Sequence, residues 1–316
     1  MALNKELIDK IITVTSKAAI SCHQFVGKND KINADKAATD TMRNEINKLE
    51  FNGEVVIGEG ELDEAPMLYI GEKLGSGGNL NIDIAVDPLE GTNFVAKNLP
   101  GALSVISIAE RGNLFNAPET YMDKLAVSNK VPLDATDLDF PLEKNIKNIA
   151  DSLNKNINDL TACLLDRPRH KEIIDKLKKM KVNIKLISDG DVAGALMVTD
   201  EKYKVDLFLG IGGGPEGVLA ASAIDTYECK FQGRFIFENE NDINRAIKMG
   251  IKDLKKKYDL NEIIKGDSIF CATGITSGDL VRGVNVQDNK YTTETLVTHK
   301  SSKLSKIFTR EDIIKT

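Results

Sequence analysis

Four acids fall within six residues in Glu59-Gly60-Glu61-Leu62-Asp63-Glu64, directly after the β-branched run Glu54-Val55-Val56-Ile57-Gly58. Carboxylates packed this densely repel one another unless cations or protons compensate, so a site for a hard divalent cation is the economical reading. An acidic loop in water is the competing reading; Gly58 and Gly60, which permit close backbone approach to a ligand, favour the site. A second group of acids lies in Ile82-Asp83-Ile84-Ala85-Val86-Asp87-Pro88-Leu89-Glu90-Gly91-Thr92. There an alternating strand runs into Asp87, Pro88 stops the ladder, and Glu90 follows on the turn, so both carboxylates can converge on one cation. Gly91 and Thr92 then offer N–H groups and a hydroxyl suited to a phosphate if a helix begins there. The same residues also fit a capped strand-to-helix turn in which Asp87 and Glu90 satisfy backbone donors.

Three further segments carry groups of the complementary kind. Ile211-Gly212-Gly213-Gly214-Pro215-Glu216-Gly217 ends a strand-like run and opens a helix, so its glycines can cradle an anion and Glu216 can ligate a cation. Arg167-Pro168-Arg169-His170 follows a strand, and forked guanidinium groups are good phosphate ligands. Asp189-Gly190-Asp191 can take sugar hydroxyls or cap the next helix. The histidines His23, His170 and His299 are too dispersed to suggest a histidine nucleophile or a zinc triad. Cys22, Cys163, Cys229 and Cys271 form no Cys-x-x-Cys pair and read as reduced, packed side chains.

The elements that must position these groups follow from periodicity. Leu7, Ile8, Ile11, Ile12 and Ala18-Ala19 predict a helix over 4–22, and Met42, Ile46 and Leu49 a second one capped by Asn33, with Asp35 in its first turn where the dipole favours a carboxylate. Strands are predicted at 54–58 and 81–87, and a hairpin from 102–108 through Arg111-Gly112-Asn113 into Leu114-Phe115. Beyond Pro132 and Pro141, strand-like runs at 163–165, 184–187 and 205–209 alternate with helical patterns at 171–180, 190–198 and 215–225, which predicts βαβ units with parallel strands. A helix over 242–258 and strands at 268–272 and 291–298 complete an α/β chain. The expected division is an N-terminal sub-domain, 1–132, carrying most of the cation ligands, and a C-terminal α/β sub-domain, 133–316, carrying the substrate loops.

The 316 residues are 41% hydrophobic and 28% charged, an ordinary globular composition. With 42 basic against 48 acidic residues, net −6 and signs interspersed, nucleic acid is not the expected partner. No stretch reaches the ~18 apolar residues of a membrane span, and the expected location is the cytoplasm.

Taken together, these segments resemble the class II fructose-1,6-bisphosphatases of bacteria, within the lithium-sensitive, magnesium-dependent phosphatase superfamily. The resemblance covers essentially the whole chain, through Asn33-Ala34-Asp35, Val56 to Glu61, Asp63 to Lys73, Asp87-Pro88-Leu89-Glu90-Gly91-Thr92, Gly214-Pro215-Glu216-Gly217, Ala272-Thr273-Gly274-Ile275-Thr276 and Thr292-Thr293-Glu294-Thr295-Leu296. It implies a layered αβαβα sugar-phosphatase fold of two closely packed sub-domains, and hydrolysis of the 1-phosphate of fructose 1,6-bisphosphate in gluconeogenesis. By the same resemblance Asp35, Glu59, Asp87, Glu90 and Glu216 match ligands of Mg²⁺ or Mn²⁺, while Asp63, with neighbouring Glu61, and Thr92 match catalytic positions. Glu90, Gly91, Thr92, Tyr121, Arg167, Pro168, Arg169, Asp189, Gly190, Asp191 and Gly213 match substrate-contacting ones. Arg167 stands where the family often has lysine, which keeps the charge but alters its geometry. The family suggests a homo-oligomer, dimer or tetramer. Sedoheptulose-1,7-bisphosphatase, inositol monophosphatase and a catalytically silent anion-binding protein are the rival readings; the basic pair at 167 and 169 has a purpose only if the substrate carries a second phosphate.

Overall fold

The computed structural model describes residues 3–58 and 68–314. In chain order it contains α1 (Lys5–His23), α2 (Lys31–Ile46), β1 (Asn52–Ile57), β2 (Lys73–Leu74), β3 (Asn81–Glu90), α3 (Thr92–Lys97), β4 (Leu103–Glu110), β5 (Tyr121–Val127), α4 (Leu142–Leu153), β6 (Thr161–Leu165), α5 (Lys171–Lys179), β7 (Asn183–Ile187), α6 (Asp191–Leu196), β8 (Leu207–Gly213), α7 (Gly214–Asp225), β9 (Lys230–Ile236), α8 (Glu240–Lys248), β10 (Tyr258–Asp259), α9 (Leu260–Ile263), β11 (Ser268–Gly274), β12 (Asn285–Gln287), β13 (Lys290–His299) and β14 (Leu304–Ile313), with short 3₁₀ turns between. Two compact units emerge, Met1–Phe115 with Ile264–Thr316, and Asn116–Ile263. This differs from the expected boundary at 132/133. The C-terminal strands return to the first unit because β11 pairs antiparallel with β4 along its whole length, a long-range pairing that local patterns do not reveal.

The first unit is built on a sheet of order β12-β13-β11-β4-β3-β1-β2, with β14 added to β13. Among the described residues only β1 and β3 run parallel in it. Asn4 caps α1 by accepting the Leu7 N–H at 2.9 Å, and the apolar stripe of α1 packs with Met42 and Ile46 of α2 on Ile84, Val86, Ile106, Ile108 and Ile269 of the sheet. The cap of α2 is Asp30, which accepts the Asn33 N–H at 3.1 Å, so the expected Asn33 cap is corrected by one turn. Asp35 consequently lies beyond the first turn, where a helix-dipole contribution has faded. The hairpin expected over 102–115 does not form. After β4 the chain turns at Arg111–Gly112, and Leu114 makes one isolated bridge, to Ile264.

The second unit carries a six-stranded sheet of order β10-β9-β5-β8-β6-β7. The βαβ expectation holds for β6, β7 and β8, which are parallel. The sheet as a whole is mixed, because β5 runs antiparallel between β8 and β9. Leu125, Val127, Leu164, Leu207 and Leu209 of this sheet form a core with Ile146, Ile149 and Leu177 of α4 and α5. The helix expected over 242–258 stops at Lys248, where Gly250 adopts φ +92° and ends the helical path. All four cysteines are free and buried. Among the described residues no helix is long and apolar enough to cross a membrane.

Candidate active site

The C-terminal ends of β1 and β3 share one edge of the first sheet, where Glu90 pairs with Leu103 at the start of β4. Pro88 does not end the ladder as expected. The strand continues to Glu90 through a register shift in which two residues, Pro88 and Leu89, face one on β4, because proline has no N–H to donate. This bulge re-aims the strand end, and Glu90 is left only 5% exposed. Asp87 Oδ1 accepts the Leu89 N–H at 3.1 Å, so that carboxylate does take the turn-capping contact. Gly91 adopts the left-handed φ of 84° that opens α3, and the Thr92 hydroxyl donates back to Leu89 O at 3.4 Å. Asp35, on a helix packed against β3 and α3, is half-buried, and burial pushes its carboxyl up. Glu59, Glu61 and Asp63 lie outside the described residues.

At the second sheet, the parallel strands β6, β7 and β8 end on one edge, the usual place for ligands in open α/β sheets. Antiparallel pairing sets Tyr121 opposite Gly213 on that edge. The Arg169 guanidinium lies 4.8 Å over the Tyr121 ring, while its Nε donates to Ile211 O at 2.9 Å. Arg167 donates to Ser188 O at 2.5 Å and lies 3.6 Å from Asp189 Oδ1. Pro168 opens the 3₁₀ turn between the two arginines. Burial pushes the Asp189 carboxyl up, opposed by Arg167. His170 is fully buried between Leu165 O, 2.7 Å from Nδ1, and the Ile211 N–H, which donates to Nε2 at 2.8 Å. Its role is to tie the ends of β6 and β8 together, through the neutral tautomer protonated on Nδ1.

Asp191, expected to be free for a substrate hydroxyl or a helix cap, is buried and ion-paired with Lys124. Gly190, before it, is left-handed at φ +92°. The Glu216 carboxyl in the first turn of α7 is pushed up by burial first, with Asp191 and Asp189 adding and Lys124 opposing. Lys124 is a group the sequence reading missed. The available signal was Asp123-Lys124 in the alternating Tyr121–Val127 run, where one of two successive charges must face inward.

The donors proposed for a cation are all carboxylate oxygens, the hard ligands that suit Mg²⁺ or Mn²⁺, and the raised carboxyls of Asp35 and Glu216 would each be favoured by a nearby cation. Among the described residues no three such side chains come together to hold a metal ion, and Glu59 falls outside them.

The sequence profile of the bacterial fructose-1,6-bisphosphatases, glpX-encoded, matches residues 5–312. The chain belongs to this family. It is 39% identical over 320 residues to fructose-1,6-bisphosphatase class 2 of Haemophilus influenzae, covering 96% of each chain. It is 40% identical over 319 residues to the D-fructose 1,6-bisphosphatase class 2/sedoheptulose 1,7-bisphosphatase of a Synechococcus strain, covering 93% of this chain and 92% of that one. Among solved structures, the extragenic suppressor protein suhB of Bartonella henselae aligns at TM-score 0.36 and 12% identity over 62% of this chain and 73% of that one, too slight a likeness to carry an argument.

Proposed function

We propose that this chain hydrolyses the 1-phosphate of fructose 1,6-bisphosphate in a divalent-metal-dependent reaction. The observation that carries this reading is the family match over residues 5–312, nearly the whole chain. Asp35, Glu59, Asp87, Glu90 and Glu216 would hold Mg²⁺ or Mn²⁺, which neutralises phosphate charge and makes water a better nucleophile.

The remaining work belongs to the chain's own groups. The Thr92 hydroxyl and the Gly91 N–H bind and orient the 1-phosphate, and Asp63, with Glu61 beside it, orients the attacking water and accepts its proton. Arg167 and Arg169 grip the distal phosphate, with Tyr121 stacked on Arg169. Asp189 and Asp191 accept sugar hydroxyls, and the backbone of Gly190 and Gly213 approaches the sugar closely. Binding the distal phosphate and hydroxyls converts remote affinity into orientation at the reacting centre. In this reading the enzyme serves gluconeogenesis in the cytoplasm as a homo-oligomer. The Synechococcus relative, named for both bisphosphates, favours sedoheptulose 1,7-bisphosphate as a second substrate.

Phosphate release from a panel of sugar mono- and bisphosphates, with and without Mg²⁺ or Mn²⁺, tests the proposal. Turnover is expected on fructose 1,6-bisphosphate, to vanish on exhaustive chelation and to return with added metal. Full activity in a demonstrably metal-free sample, or preference for inositol monophosphate, would overturn it.

A further inference from the structure

Lys124 stands in the middle of β5 and is 0% exposed, a placement that is costly for an ammonium unless it is paired. Its Nζ donates to Oδ2 of Asp191, the first residue of α6, which is itself 5% exposed. The lysine stem passes along α7, where a Cβ at Gly217 would lie 3.6 Å from Lys124 Cε. On the neighbouring strand, two glycines leave room for carboxylates. A Cβ at Gly212 would lie 1.9 Å from Asp191 Oδ2, and one at Gly213 would lie 1.8 Å from Glu216 Oε2. One buried ammonium therefore pairs with Oδ2 of Asp191 and lies within electrostatic reach of Glu216. A carboxylate at the start of a six-residue helix has little of its own to fix its orientation. Lys124 can fix it, because β5 is held by hydrogen-bonded partners on both sides, β8 and β9.

We propose that Lys124 is a positioning residue for substrate binding: its ion pair with Asp191 Oδ2 fixes that carboxylate at the strand edge, so that Oδ1 accepts a hydrogen bond from a substrate sugar hydroxyl. The inference rests on the reading that Asp191 belongs to the substrate cradle.

A double-mutant cycle on the intact, metal-loaded protein tests both levels. Asp191→Asn is expected to raise KM for fructose 1,6-bisphosphate by about tenfold or more, the loss of one hydrogen bond to a charged group, with kcat changed far less. Lys124→Met is expected to lower Tm, since it strands a buried carboxylate, and to raise KM to a similar degree. In the Lys124→Met/Asp191→Asn variant the stranded charge is gone, so Tm should recover while KM stays no higher than in Asp191→Asn alone. A parental KM for folded Lys124→Met would overturn the proposal. So would additive KM increases in the double variant, because Lys124 would then act through something other than Asp191; if the single lysine variant does not fold, the double variant decides. A parental KM in Asp191→Asn would instead show that the cradle reading itself has failed.

Discussion

The acids at the two strand edges have different neighbours. At the end of β3, Glu90 is buried and nearby α2 bears Asp35, whose carboxyl burial pushes up. At the edge of the second sheet, each acid has a built-in positive neighbour: Asp191 has Lys124, Asp189 has Arg167, and Glu216 feels Lys124. An edge that supplies its own cations can hold its carboxylates in place for a polyhydroxylated anion. A carboxyl that burial pushes up, as at Asp35, is favoured in its charged form by a cation supplied from outside.

The largest effect that would sharpen this contrast is expected at the first edge. Glu90→Gln keeps shape and removes charge, and should lower turnover at fixed Mg²⁺ by roughly two orders of magnitude. A variant within a few-fold of the parent would remove the basis for treating this edge as the metal side. At the second edge Arg169→Ala should cost kcat/KM on a sugar bisphosphate about ten- to hundredfold, the worth of a charge-assisted contact, and far less on a monophosphate lacking the distal group. Equal losses on the two substrates would assign Arg169 to the fold, through its bond to Ile211 O.

Smaller effects test which charges lie outside both edges. Asp123, opposite Arg234 on β9, has its carboxyl pushed up by burial, with the Arg234 charge only partly opposing. A carboxyl whose folded pKa is raised costs stability above that pKa, and the cost disappears as pH falls toward the unfolded value. Asp123→Asn should therefore raise Tm at neutral pH by about a few degrees at most, and the gain should fade on acidification. A loss of Tm at neutral pH would show that Asp123 is held as a useful anion.

Much of both edges was legible because each rests on local grammar. A strand-like run, a glycine or proline and a row of acids place Asp87 and Gly213 at strand ends and Glu216 on the helix that follows, from their immediate neighbours, whereas Glu90, expected on the turn, still belongs to β3. What escaped depends on partners far along the chain. Glu72, just before β2, accepts two hydrogen bonds from Arg43, at 2.7 and 3.2 Å, a pairing across 29 residues that no local pattern announces. Lys124 escaped for the same reason, since a lysine in a strand reads as solvent-facing until α6 delivers its carboxylate. The 132/133 boundary was misplaced because proline spacing is local, whereas the pairing of β11 with β4 is not.

That pairing also orders events in time. β11 lies between β4 and β13 in the first sheet, and the bond from Ala102 N–H to Thr276 Oγ1 that seals its end spans 174 positions. The second unit, 116–263, is contiguous and complete before any of β11 has been synthesised. Until then β4 lacks its partner on that side, and an unpaired strand edge is the kind of surface on which nascent chains associate wrongly. The first unit, which bears Asp35, Asp87 and Glu90, thus cannot close its sheet until synthesis has passed the whole of the second.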